Sequence, residues 1–145
     1  MQLGIVNRNN ADKVFIAVRN ISGATVSAGA ALEFDVVTAT DGNAVTAAKS
    51  GSLSGLFAGL ADASMTDSAY GLCQVYGYRQ SAYISAASAG LAPGTYLQPI
   101  NGILTDMTMS AATTSGHTKV VLFETVAASA AYSGTKNWNV FIKNM

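Results

Sequence analysis

Apolar and other side chains alternate along most of this chain. In "KVFIAVRN" (13–20), Val14, Ile16 and Val18 share one side of an extended strand. Phe15, Ala17 and Arg19 lie opposite, so the strand reads as buried largely on both faces. "GAALEFDVVTA" (29–39) puts Leu32, Phe34 and Val36 on one face and Glu33 and Asp35 on the other, the pattern of a half-buried strand. Asp41-Gly42 follows as a hairpin signal, because the tight turn needs positive φ. "LFAGLA" is a short apolar run between glycines and serines, and "YGLCQVYGYRQSAYIS" (70–85) is the longest strand. "GTYLQPING" reads as a strand ending at Pro99 and Asn101-Gly102. "TKVVLFETV" and "KNWNVFIKN" supply the last two strands, with Ser133-Gly134 in the turn between them.

The competing signal is alanine, the best intrinsic helix former. "SAASAGLA" and "VAASAAYSG" lack an apolar stripe and Glu/Lys pairs, and glycine or serine interrupts both, so they read as loops or strand margins. The pattern predicts an all-β fold, an antiparallel β-sandwich or barrel with short loops and little helix. "KVFIAVRN" and "NVFIKN" echo each other, which suits adjacent or equivalent strands. The polar start, with Asn7, Arg8, Asn9 and Asn10, reads as an N-terminal arm over 1–12 ahead of a single β domain over 13–145.

Composition sharpens this. The 145 residues carry 8 cationic and 8 anionic side chains, a formal net charge of zero. Charged residues are 11% of the chain, against about 25% in an ordinary soluble domain. A nucleic-acid binder would need a basic patch, so nucleic acid is not an expected partner. Near-zero charge favours association, so other protein is expected to cover part of the surface. No apolar run approaches the ~20 residues of a spanning helix, and no membrane partner is expected. The first residues lack the basic start and apolar core of a signal peptide. "NIS" at 20–22 matches a glycosylation acceptor and is read as chance.

No reaction chemistry emerges. His117 is the single histidine, there is no G-x-S-x-G elbow, and "GSLSG" has leucine at the centre. One cysteine and one histidine make no zinc cage, "TDGNAV" lacks the carboxylates of a calcium loop, and no phosphate loop is present. Cys73, flanked by apolar neighbours, reads as a small buried hydrophobe. No catalytic residue, metal or cofactor is expected; the enzyme alternative is a hydrolase centred on His117.

The unusual stretch is 70–85, which holds four of six tyrosines. On a strand, Leu72, Gln74, Tyr76, Tyr78 and Gln80 line one side, and Cys73, Val75, Gly77 and Arg79 line a tightly packed other side. Three accounts of the tyrosine side stay open. Its phenols could cover a loop or the end of a sandwich, form a subunit interface, or stack on sugars. The interface candidates are Tyr70, Gln74, Tyr76, Tyr78, Arg79 and Tyr83, since tyrosine and arginine are enriched where proteins meet. Trp138 alternates with Val140 and Ile142 as a core residue, opposite Asn137, Asn139, Phe141 and Lys143.

Several segments together carry a family likeness. "ISGATVSAGAALEF", "LFAGLADASMTDSAYGLCQVYGYRQSAYIS", "GTYLQPINGIL" and the closing "VFIKNM" resemble small head decoration (cement) proteins of tailed bacteriophages. The resemblance implies a non-catalytic structural virion protein on the capsid exterior, present in the host cytoplasm during assembly. It implies two partners: the major capsid protein, and further copies of itself in a trimer. The arm would lie along the lattice. The alternative is a carbohydrate- or receptor-binding virion surface protein using the tyrosine ribbon.

Overall fold

The computed structural model describes residues 13–38, 41–47, 56–85, 90–106, 120–126 and 138–144. Ten strands form: β1 (Val14–Asn20), β2 (Ala31–Phe34), β3 (Ala44–Ala47), β4 (Phe57–Ala61), β5 (Tyr70–Ala82), β6 (Ile84–Ser85), β7 (Tyr96–Ile100), β8 (Ile103–Asp106), β9 (Val120–Leu122) and β10 (Trp138–Lys143). Among the described residues there is no helix, and so none long and apolar enough to cross a membrane. The arm residues Asn7, Arg8, Asn9 and Asn10, His117 and the Ser133-Gly134 turn lie outside the described residues.

The strands run β1-β3-β2-β4-β5, and β1 pairs with β5 to close a five-stranded barrel. From β5 the sheet continues through β10, β9, β7 and β8 to β6, which is itself the continuation of β5 past Tyr83. The second series repeats the first. β1 is parallel to β3, as β6 is to β8; β2 is antiparallel to β3 and β4, as β7 is to β8 and β9. β5 closes against β1, as β10 closes against β5. The chain is two tandem rolls sharing one long strand.

The turns repeat as well. Val26 bridges Met65 in the first roll, and Leu91 bridges Val126 in the second. Gly29 N donates to Ala61 O and Ala61 N to Ala30 O; Gly94 N donates to Leu122 O and Leu122 N to Thr95 O. Gly29 and Gly94 hold the same left-handed conformation, φ +82° and +86°, each two residues before its strand. Matching positions fill matching cores: Leu32, Val45, Cys73 and Val75 in the first roll, Leu97, Leu104, Val140 and Ile142 in the second. Period-two alternation supplies these residues, and each fully buried leucine contributes about 1.5–3 kcal/mol.

Several expectations change. Two of the pairings are parallel, since β1 and the end of β5 each cross over to reach a third strand. β1 is not buried on both faces: Val14, Phe15 and Ala17 are exposed. β2 and β4 are the strands buried on both faces, with Glu33 only 6% exposed, because the second roll packs on that side. β7 runs through Pro99 to a turn at Asn101 and Gly102, whose φ values of +52° and +74° match the hairpin type in which both central residues are left-handed. The two Val-Phe-Ile strands, β1 and β10, are both antiparallel neighbours of β5. Asn20 is wholly buried: its Nδ2 donates to Ala24 O, Met65 O and Thr66 O, and its Oδ1 accepts from Ser22 N and Oγ. It locks a turn and offers no glycan acceptor in the folded chain.

Gly59 on β4 tests how closely the rolls are wound. Its φ is +145°, and an added Cβ would lie 2.3 Å from Gln74 O and 2.8 Å from the Cys73 Sγ. Gly59→Ala is expected to cost roughly 3 kcal/mol or more in urea unfolding, combining strain and overpacking. Gly23→Ala, at φ +75° but with open space around it, should cost only about 1 kcal/mol.

Candidate binding surface

β5 carries the tyrosine ribbon and is bent in its middle. Its register slips against β1 between Val14 and Phe15, and Gly77 takes φ +99°. The bend separates the ribbon's residues into two kinds of environment. Cys73, Val75, Gly77 and Arg79 face inward, as alternation requires. Gln74 breaks the pattern: it belongs to the tyrosine side yet is 1% exposed. Its Nε2 donates to Tyr76 O and Tyr78 O, both at 3.2 Å, spanning the bend.

Arg79 completes this interior. Its Nε donates to Ser81 O at 2.6 Å, its Nη1 to Asp62 Oδ1 and Gln74 Oε1 at 3.3 Å each, and its Nη2 to Ala61 O at 2.8 Å and Asp62 O at 3.2 Å. Burial pulls its pKa below the ordinary value, opposed by the Asp62 carboxylate. All three guanidinium nitrogens are bonded within the chain. Gln74 and Arg79, expected at an interface, are therefore spent tying β5 to the end of β4. Tyr83 is half-buried against the first roll's core.

The outward residues gather elsewhere. Tyr76 packs edge-on against Phe141 at 5.3 Å, Tyr78 edge-on against Phe123 at 6.4 Å, and Phe123 lies tilted beside Phe141 at 6.2 Å. Strand pairing extends the cluster, because Tyr78 is opposite Phe141, Phe141 opposite Val121, and Val121 opposite Tyr96. The result is an apolar, largely aromatic band across β5, β10, β9 and β7. Tyr96 is 51% and Phe123 56% exposed. Exposed aromatic area of this kind makes the band the candidate binding surface. Tyr70, 69% exposed, stands apart at the start of β5, opposite Arg19.

Of the six interface candidates, the structure brings Tyr76 and Tyr78 into this cluster. It adds Phe123, Phe141, Val121 and Tyr96, which the sequence did not single out as a set. Phe141 was legible as the residue opposite the Trp138 face; Trp138 itself packs against the second core. What joins them is strand order, which no local pattern reveals. Beside the rings, both carboxylate oxygens of Glu124 accept from Asn139, one from its backbone N–H and one from Nδ2. No family model and no curated protein matches this chain. Among the described residues, no three of His, Cys, Asp and Glu gather where they could hold a metal ion.

Cys73 is free and buried, and burial pushes its thiol up to about 12 against the smaller opposite pull of Arg79. It should resist a maleimide at pH 8 in the folded protein and react fully in denaturant; fast labelling of the native chain would contradict this placement. Arg79→Met should cost roughly 3–5 kcal/mol in urea unfolding, because carbonyls of three residues lose a buried cationic donor. Asp62→Asn should cost under about 1 kcal/mol, since that side chain is 45% exposed.

Proposed function

We propose that this protein is a structural virion component, a decoration (cement) subunit that binds the outer surface of a tailed-phage head. There it stabilises contacts between major capsid proteins and associates with further copies of itself as a trimer. The observation that carries this reading is the outward aromatic band on a chain of zero net charge. Aromatic residues offer large apolar area with a hydrogen-bonding tip, and low charge lowers the cost of desolvating the surface around them. Linked footprints give avidity from modest individual contacts. The motif likeness in 20–145 points to the same class of protein, and the polar arm over 1–12 would reach along the lattice. The role needs no cofactor and no reaction; it belongs to the capsid exterior, after assembly in the host cytoplasm.

A second reading is favoured by one feature, the Glu124 and Asn139 polar groups beside the Phe123 ring. Aromatic faces next to a carboxylate and an amide suit a sugar, so a carbohydrate- or receptor-binding role on the virion surface is the alternative.

The deciding experiment is co-sedimentation with expanded, empty phage heads stripped of their decoration. The full chain should pellet with the heads and raise their resistance to heat. A chain that stays in the supernatant, and whose glycan-array signal disappears in Tyr78→Ala, would replace the first reading with the second.

A further inference from the structure

The second roll is seated on the outer face of the first. One row crosses that face of the first roll through Phe15, Gln74, Leu60 and Ala31, each opposite the next. Leu60 and Ala31 are fully buried because they pack, with Phe57, into the second roll's core. Position for position, the matching row on the second roll is Tyr78, Phe141, Val121 and Tyr96. That row is the aromatic band. The part of the row that the first roll hides beneath its neighbour, Leu60 and Ala31, corresponds to half-buried Val121 and half-exposed Tyr96 on the second roll.

The other side of the contact has a counterpart too. The second roll touches the first with its β7–β8 turn, where Gly102 O accepts from Ala31 N at 2.9 Å. The matching place in the first roll is the start of the β2–β3 connection, 35–38. Asp35 Oδ1 accepts from Val37 N at 2.9 Å and Thr38 N at 2.6 Å, holding an exposed turn. On that turn Val36 is 55% and Val37 88% exposed. The chain thus has an exposed apolar turn and an apolar face, and each lies at the position that matches one side of a contact the chain already makes internally.

We propose that the aromatic face of one copy is covered by the Val36–Val37 turn of another copy, repeating between chains the seating of roll on roll within a chain. The contact is heterologous: it joins unlike surfaces, so it closes into a ring or runs on as a filament. The occupant is a second copy because the first roll is the nearest structural equivalent of the body that already covers the matching face. This rests on the self-association in the function proposed above and does not need the capsid partner.

The test uses two variants of the full chain, Phe123→Asp on the face and Val37→Asp on the turn. Both side chains are mostly exposed, so both variants should fold, and the far-ultraviolet β spectrum checks it. Tyr96→Gln and Val36→Asp are the second choices. By light scattering, the wild type should be a multimer and each variant alone a monomer. Mixed in equal amounts, the two variants should form a dimer and stop there, since each retains the surface the other lacks. A multimer that survives both substitutions overturns the inference. So does one broken by the face variant alone, which would mean aromatic face against aromatic face. Neither result disturbs the capsid reading, which is decided by co-sedimentation with heads; a monomeric wild type removes the self-association and this contact together.

Discussion

One strand has to close two barrels, and the rest of the structure answers to that demand. β5 pairs with β1 and β4 near its start and with β10 farther along, and its continuation as β6 pairs with β8. A straight, regular strand cannot serve partners that diverge in this way, so β5 bends. Bending pulls its carbonyls out of register with the flanking strands. Buried carbonyls without donors cost about 1–3 kcal/mol each, so donors have to be brought to them. Gln74 supplies its own strand at Tyr76 and Tyr78, and Arg79 supplies Ser81, Ala61 and Asp62. Asn144 does the same from the end of β10, donating from Nδ2 to Phe57 O and Ala58 O and from its backbone N to Val75 O. The polar residues inside this protein are the means by which one strand is shared.

That division explains how much the sequence could reveal. Period two was plain in β2, β5 and β10, and a turn at Asn101-Gly102 followed from residue type alone. The inward side of β5 was legible as well. The burial of Glu33 and Gln74 was not, because each lies on the outer side of the first roll; the seating of the second roll covers Glu33, and Gln74 is folded onto the bend of its own strand and Arg79. The repeat was hidden for a related reason. Within the matched turns and strands, Gly29 with Gly94 and Leu32 with Leu97 recur, while Gln74 matches Phe141 and Asp62 matches Phe123. A repeat carried by backbone bonds and a few small or apolar positions leaves little mark on side-chain identity. The Val-Phe-Ile echo, which was visible, joins two strands related by sharing a partner.

The same division limits what chemistry the described residues can perform. Arg79, the guanidinium in the tyrosine ribbon, is enclosed by carbonyls and Asp62, and the Cys73 thiol is enclosed by the first core. Neither can meet a ligand without opening the barrel. What remains on the outside of the four-strand face is aromatic area with a polar margin at Glu124 and Asn139. Area of this kind offers shape and desolvation rather than charge or reactive groups.

The distribution of polar residues between the two rolls also speaks to what covers the aromatic face. A chain meant to end in water would place its polar residues on the exposed copy of the repeated face and its apolar ones on the buried copy. At one position the order is reversed: the first roll carries buried Gln74, with exposed Asp62 beside it, where the second roll carries half-buried Phe141 and exposed Phe123. The two polar residues are explained by the bend in β5, which needs a donor in Gln74 and a counter-ion for Arg79 in Asp62. The aromatic pair has no such local duty, since β10 pairs with β9 and β5 through its backbone whatever side chain stands at 141. Leaving Phe123 half in water beside half-buried Phe141 lowers solubility and contributes little to the second core, which lies on the other side of the strand. Their apolar contribution would be recovered where another surface excluded that water, which is the physical basis of the contact proposed above.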